Sequence, residues 1–320
     1  MNLDKLDKDL LFELEKDSST PTNILAKRLG KSKDVISYRI NRLKKDKILR
    51  SCTAIVDMTR LGYIVFRVYI RWQNITEEMK RDFYQLLGKK EAVWTTTILH
   101  GKWDFAIFVG LKNDFYIENF HKLWRDILVD YKNKIAEHKI AIYSPVYNFN
   151  KRFFFDDKKE CIERVYGNDK TVEYDKLDID IIHTYSPDVR QSLIDIAEKV
   201  GSSIETVRRR ITELEKKKVI VGYKIDLDLP KLGYQGYRVD FSLNSVSKID
   251  ELFTYIKHHK YFYQINKSIG GADLETEIVV KDLAHLLAIL EETVSQFKDV
   301  IKNYEYMGYT EFPKLSIVSD

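Results

Sequence analysis

The chain has 320 residues, 44% apolar and 32% charged, with 13 Gly, 5 Pro and 2 Cys. That composition excludes a disordered chain, a low-complexity linker and a disulfide framework, and the length suggests two or more domains. No apolar run reaches the ~18 residues of a membrane helix, and MNLDKLDKDLL at the start lacks the basic and apolar parts of a signal peptide, so a cytoplasmic location is expected. Net charge is only +4, so the placement of the charge matters more than its sum.

In chain order, Leu6, Leu10, Leu11 and Leu14 fall at helical spacing, with Asp4, Asp7 and Asp9 in the N-terminal turn. A turn at residues 17–21 precedes a short helix that starts at Thr22 or Asn23 and stops at Gly30. Ser32 caps a third helix whose core face is Ile36, Ile40 and Leu43. Three short helices with a Gly-bearing turn before the third make a helix-turn-helix pattern. The β-branched stretch 48–57 then reads as a wing or an outgoing strand.

The next segment alternates between strand and helix: a strand at 64–72, a helix from Thr76 to Gly88, strands at 93–99 and 105–111, a helix capped by Asp114, and a strand at 135–147. This βαββαβ order is the ferredoxin-like arrangement. Its sheet would leave one face uncovered, carrying apolar and aromatic residues at alternate positions. That face needs a second sheet, from the same chain or from another.

The pattern then recurs. DKLDKDLL at 4–11 returns as DKLDIDII at 175–182, and the shift of 171 holds without a gap from Asp4 to Tyr63, with 18 identities in 60 positions. Ala26, Gly30, Ser32, Arg39, Ile40 and Leu43 fall on Ala197, Gly201, Ser203, Arg210, Ile211 and Leu214. Further on, Gly101 and Asp104 match Gly270 and Asp273 at a shift of 169. The expected architecture is α+β, with two repeats of a winged helix-turn-helix domain followed by a ferredoxin-like domain. The boundaries are 1–62 and 63–148, a connector at 149–173, then 174–233 and 234–320. Phe153, Phe154 and Phe155 in the connector imply that part of it packs.

Basic charge is concentrated on the third helices. Residues 27–50 hold ten Lys+Arg against two Asp, a net of +8; residues 198–221 hold seven against four Glu, a net of +3. With the core face fixed, Lys33, Ser37, Tyr38 and Arg42 point outward, as do Thr206, Arg208, Arg209 and Arg210. Such side chains suit base edges and phosphates of double-stranded DNA. Arg39 and Arg210 are expected to set affinity, and Tyr38 and Arg209 sequence preference. The bland reading of any one such helix is a solvated charged face.

The runs LDKDLL…LAKRLGKSKDVISYRINRLKKDKIL…VDMTRLGY and LDIDII…RQSLIDIAEKVGSSIETVRRRITELEKKKVIVGY…LGY resemble the Lrp/AsnC family of transcription regulators over nearly the whole chain, twice. GKWDF at 101–105 and GADL at 271–274 with the preceding Gly270 resemble its Gly-x-x-Asp loop. The resemblance implies a DNA-binding regulator that self-associates through its ferredoxin-like domains, within the chain or as a homodimer, and an effector such as an amino acid bound near Gly101, Asp104, Gly270 and Asp273. The same four residues are equally explained as a tight inter-strand turn. The chain departs from the family at Lys47, where Gly is usual, and its first copy lacks the Asp-x-Arg found at Asp188–Arg190. No cofactor, metal site or membrane contact is implied. Two other readings stand beside this one: a tetrapyrrole enzyme resembling siroheme decarboxylase, for which His100 is the single histidine near the loop, and an interaction protein whose heads no longer touch DNA.

Overall fold

In the computed structural model, residues 3–112, 114–153, 155, 160–167 and 170–315 are described. Each repeat opens with three helices: α1 (Lys5–Lys16), α2 (Thr22–Leu29) and α3 (Lys33–Lys45), then later α6 (Lys176–Tyr185), α7 (Leu193–Lys199) and α8 (Ile204–Lys216). Local chemistry sets their ends. Asp4 and Asp175 each form a capping box with the aspartate three residues on, and Ser32 and Ser203 each accept the amide hydrogen bond that opens the third helix. Gly30 ends α2 in the left-handed conformation, φ 62°.

The strands that follow, β1 (Leu49–Val56) and β7 (Ile220–Leu227), do not fold back as wings on their own heads. They pair antiparallel with each other, from Leu49 against Leu227 to Val56 against Ile220. The two heads thus share one ribbon and one apolar core, in which Leu10, Leu14, Ile36 and Leu43 pack with Ile181, Ile196, Val207 and Leu214. A single ribbon strand per head cannot satisfy its own backbone groups, and pairing across the repeat supplies the partner.

The ferredoxin-like parts comprise β2 (Tyr63–Trp72), α4 (Glu77–Gly88), β3 (Val93–Gly101), β4 (Phe105–Lys112), α5 (Tyr116–Tyr131) and β5 (Ile135–Phe149), then, after β6 (Glu163–Tyr166), β8 (Gln235–Leu243), α9 (Ile249–His258), β9 (Phe262–Ile269), β10 (Leu274–Val280), α10 (Leu283–Gln296) and β11 (Ile301–Leu315). Asp114 does not cap α5. The residue at the cap is Phe115, left-handed at φ 61°, with no side-chain hydrogen bond into the helix.

Each repeat forms its own four-stranded order, β3-β4-β2-β5 and β9-β10-β8-β11. The two 15-residue strands β5 and β11 then continue past their own sheets: β5 pairs with β9 and β11 with β3. The result is a closed eight-stranded antiparallel barrel within one chain, with β6 added to β5. Closure removes every free sheet edge from the eight strands. The helices cover the outside, α4 and α5 over Phe66, Val68, Ile70, Phe105 and Ile107, and α9 and α10 over Val239, Phe241, Leu274 and Ile278.

The second face of each sheet is therefore the barrel interior; in the first repeat it is apolar and aromatic as the sequence implies, with Tyr69, Leu99, Ala106 and Phe108, but much of the rest is polar. It carries Arg67, Arg238, Asp240, Gln264, Asn266 and Glu275, all buried. The connector packs as well. Phe153 and Phe155 are buried with the head core, and the Arg164 guanidinium donates to the carbonyls of Glu15 and Lys16. Phe154 lies outside the described residues.

Candidate nucleic-acid interface

The third helices present different surfaces in the two heads. On α3, Lys33 and Tyr38 are exposed, Tyr38 at 64%, and Ser37 is half-buried beside them. Lys27, Lys31, Lys45, Lys47 and Arg50 extend this exposed basic surface. On α8, Arg208 and Arg209 are exposed and Thr206 is half-buried. Each of the two arginines meets a glutamate on its own helix, Arg208 with Glu205 at 3.0 Å and Arg209 with Glu213 at 2.8 Å. Surface pairs of this kind are worth under about 1 kcal/mol and yield readily to a stronger anion. Head one carries no matching pair, because Ser37, Tyr38 and Arg42 stand where head two has Arg208, Arg209 and Glu213.

Three of the arginines expected to contact DNA are instead turned into their own heads. Arg39 ion-pairs with Asp4 and, at 2.9 Å, with Asp7, and Arg42 reaches Asp7 at 2.5 Å. Arg210, the counterpart of Arg39, pairs with Asp175 at 2.7 Å and Asp178 at 3.2 Å. Asp7 and Asp178 are buried, so an unpaired charge there would be costly, and the arginines neutralise it. Sequence periodicity placed these side chains off the core face correctly, but a guanidinium is long enough to fold back along the helix to a neighbouring carboxylate. The clue was present in the repeat itself, since Asp4 and Asp7 recur as Asp175 and Asp178 wherever Arg39 recurs as Arg210.

Lys47 stands in the left-handed region at φ 55°, and Lys218, its counterpart, at φ 58°. This is a backbone position that Gly fills without strain. The Asp-x-Arg of the second copy has a defined task. Arg190 donates to the carbonyls of Ser18 and Thr20 and to Thr22 Oγ1, and Asp188 receives Lys44 at 3.0 Å. Those contacts run from head two to head one, so the heads are held by side chains as well as by the ribbon.

The Gly-x-x-Asp positions serve the barrel seams. A Cβ on Gly101 would lie 2.6 Å from the Tyr306 carbonyl oxygen and one on Gly270 2.8 Å from that of Ile140, so only glycine lets β3 and β9 approach β11 and β5. Asp104 accepts from the Trp72 amide at 2.7 Å and Asp273 from the Leu243 amide at 2.8 Å, tying each hairpin to the first strand of its repeat. His100 is exposed, its Nε2 3.1 Å from Thr310 Oγ1. Among the described residues no cluster of His, Cys, Asp and Glu could hold a metal ion, and no helix is long and apolar enough to cross a membrane.

The winged helix-turn-helix DNA-binding family matches residues 3–50 and again 174–221, the two three-helix heads described above. An uncharacterized HTH-type transcriptional regulator of Pyrococcus abyssi is 30% identical over 145 residues, 45% of this chain and 97% of its own length. The chain belongs to the Lrp/AsnC family. The HTH-type transcriptional regulator LrpA of Pyrococcus horikoshii is 28% identical over 130 residues, 41% of this chain and 90% of that protein. Each such relative spans one repeat, so this Lrp/AsnC chain is a tandem of two. A solved structure similar over the full length is the siroheme decarboxylase NirDL, with a TM-score of 0.66 and 13% identity over 98% of this chain and 94% of that one. At that identity the likeness is one of fold over nearly the whole length of both chains.

Proposed function

We propose that this tandem Lrp/AsnC chain is a sequence-specific regulator that binds double-stranded DNA through two non-equivalent heads. The observation that carries the reading is the pair of basic third helices, each presented outward on a head whose partner is fixed beside it. Head one offers Lys33, Ser37 and Tyr38 in a field of exposed lysines; head two offers Thr206, Arg208 and Arg209 with their glutamates. Lysines and arginines neutralise phosphates, and the protruding side chains of the helix read base edges. Because the heads differ, the site they suit is asymmetric or extended. Arg39, Arg42 and Arg210 support this surface by holding α3 and α8 against the helices that open each head. The barrel supports self-association of the ferredoxin-like domains within the chain. Modulation by a small effector such as an amino acid belongs to the same reading, but the side chains of Asp104 and Asp273 accept from the Trp72 and Leu243 amides of their own repeats, which favours a structural role for that loop.

Selection of genomic fragments with the purified protein, followed by affinity measurements across a salt series, tests the proposal. The expected result is a recovered site without perfect two-fold symmetry and a log affinity that falls linearly with log salt. Failure to bind any duplex at low salt overturns it.

The second reading, a siroheme-decarboxylase-like activity, is favoured by the full-length fold likeness alone. His100 sits on the outside of the strand end, bonded to Thr310, and is not among the residues that line the cavity at the barrel. Added siroheme that binds and is converted, followed by its Soret band, would establish that activity.

A further inference from the structure

The barrel interior is asymmetric in a way that leaves one half open. Cross-strand register aligns the two repeats residue for residue. Tyr69, Ala106 and Thr97 form one row across the first sheet, and Asp240, Glu275 and Asn266 form the same row across the second. In the next row, Arg67, Phe108 and Thr95 correspond to Arg238, Glu277 and Gln264. The second repeat fills its half with carboxylates and amides, and both arginines lean toward it, Arg67 and Arg238 each reaching Glu275 at 2.5 Å. The first repeat has no carboxylate or amide there: beside Arg67 stand Tyr69, Phe108, Ala106, Thr95 and Thr97. A cavity of about 340 Å³ remains on that side, within the range of small-ligand sites.

Its walls are aromatic: Tyr69, Trp94, Phe108, Tyr143, Tyr166 and Tyr309. Trp94, Phe108 and Tyr166 have no cation over their rings among the described residues. The charged groups at its edge are Asp57, Arg238 and Glu277. Arg238 is already matched by Asp240 at 2.7 Å and by Glu275. Glu277 is hydrogen-bonded by Tyr263 at 2.6 Å and Gln264 at 3.1 Å. Asp57 differs. Its Oδ1 caps the turn at Thr59, but its Oδ2 is buried with no hydrogen-bond partner, on a residue 1% exposed. Asp57 lines the same cavity as those rings, and a buried carboxylate oxygen with no partner there calls for a cation.

We propose that the barrel binds a compact organic amine in this cavity, its ammonium on Asp57 Oδ2 and its apolar body against Trp94, Phe108 and Tyr166. A carboxylic acid of the same shape would add a further negative charge next to Asp57 and Glu277 and is excluded by the same logic. The site is independent of DNA recognition, so it stands or falls on ligand binding alone. The test uses the full chain and follows tryptophan fluorescence, with Trp94 as the reporter in the wall. Phenethylamine and its carboxylate counterpart 3-phenylpropionate are titrated in parallel. The expected result is saturable binding of the amine, at least about tenfold tighter than the acid, abolished by Ala106→Leu, which fills the cavity, and weakened about tenfold or more by Asp57→Asn, which keeps a capping side chain and removes the charge. Circular dichroism confirms that each variant is folded; if Ala106→Leu is not, Asp57→Asn decides. Equal or tighter binding of the acid, no binding of the amine, or undiminished amine binding by a folded Asp57→Asn chain overturns the proposal.

Discussion

Arg67 and Glu275, 208 positions apart in sequence and both wholly buried, form an ion pair at 2.5 Å across the barrel interior, one from each repeat. Removing one member leaves a buried charge with too few partners. Arg67→Met is expected to cost about 3–5 kcal/mol, read as a lower midpoint in chemical denaturation with the barrel and heads losing structure together.

The same pair makes stability depend on acid. Burial alone would raise the Glu275 carboxyl, but the Arg238 and Arg67 guanidiniums outweigh it and hold the group down to about 2. A carboxylate depressed in the folded state contributes stability that is complete above its ordinary value near 4.5 and is lost as pH falls from there toward 2. Denaturation midpoints should therefore be steady above about pH 5 and decline below it. Glu275→Gln should flatten that decline while lowering stability at neutral pH. An unchanged acid profile in the variant would contradict the assignment.

Arg39 and Tyr38 are neighbours with opposite expected phenotypes. Arg39→Ala removes the partner of Asp4 and half the support of buried Asp7, and should lower stability by on the order of 1–2 kcal/mol. Tyr38→Ala, at an exposed position, should leave the melting temperature within about a degree, since surface changes usually stay within ±0.5 kcal/mol, while shifting which DNA sequences are preferred. Arg210 and Arg209 should divide in the same way in head two. Thermal melts and DNA selection on the four variants check this.

Lys47 and Lys218 sit where a side chain is strained. Replacing each with Gly is expected to raise stability by about 0.5–1 kcal/mol, because relief of the left-handed backbone outweighs the added freedom of the unfolded chain. Differential scanning calorimetry of the single and double variants should show additive gains, since the two turns belong to different heads.

Arg190→Ala cuts the side-chain clamp from head two onto residues 18–22 of head one. The ribbon remains, so the chain should stay folded, but tolerance for altered spacing between the two halves of the DNA site should widen. Affinities for a set of duplexes with inserted base pairs measure it.

The elements of the heads were legible because their signals are local. A capping aspartate or serine, a helical apolar face and a glycine at a left-handed stop each act within a few residues, and Asp4, Ser32 and Gly30 do what their positions imply. The barrel was legible only in half. Strand order within each repeat follows from βαββαβ, but the pairings of β5 with β9 and β11 with β3 join residues more than 100 positions apart, and nothing in either strand alone names its partner. The polar interior was misjudged for a related reason. Alternation shows that Arg67 and Glu275 lie on the face away from the helices, and only closure of the barrel turns that face into an interior where the two charges meet. The site residues divide on reach: Lys33, Tyr38, Arg208 and Arg209 are exposed as spacing implies, whereas Arg39, Arg42 and Arg210 curl back to carboxylates that spacing does not take into account.

Closing the barrel inside one chain also changes how the protein responds to scarcity. A regulator assembled from separate subunits loses its paired heads on dilution, because each must find its mate by diffusion. Here the mate is on the same polypeptide, so under the proposed function the two heads would engage DNA as one event at any concentration. A few molecules per cell would be as fully assembled as many, and halving expression would halve occupancy at low saturation rather than reduce it by the steeper power that a dissociating dimer obeys.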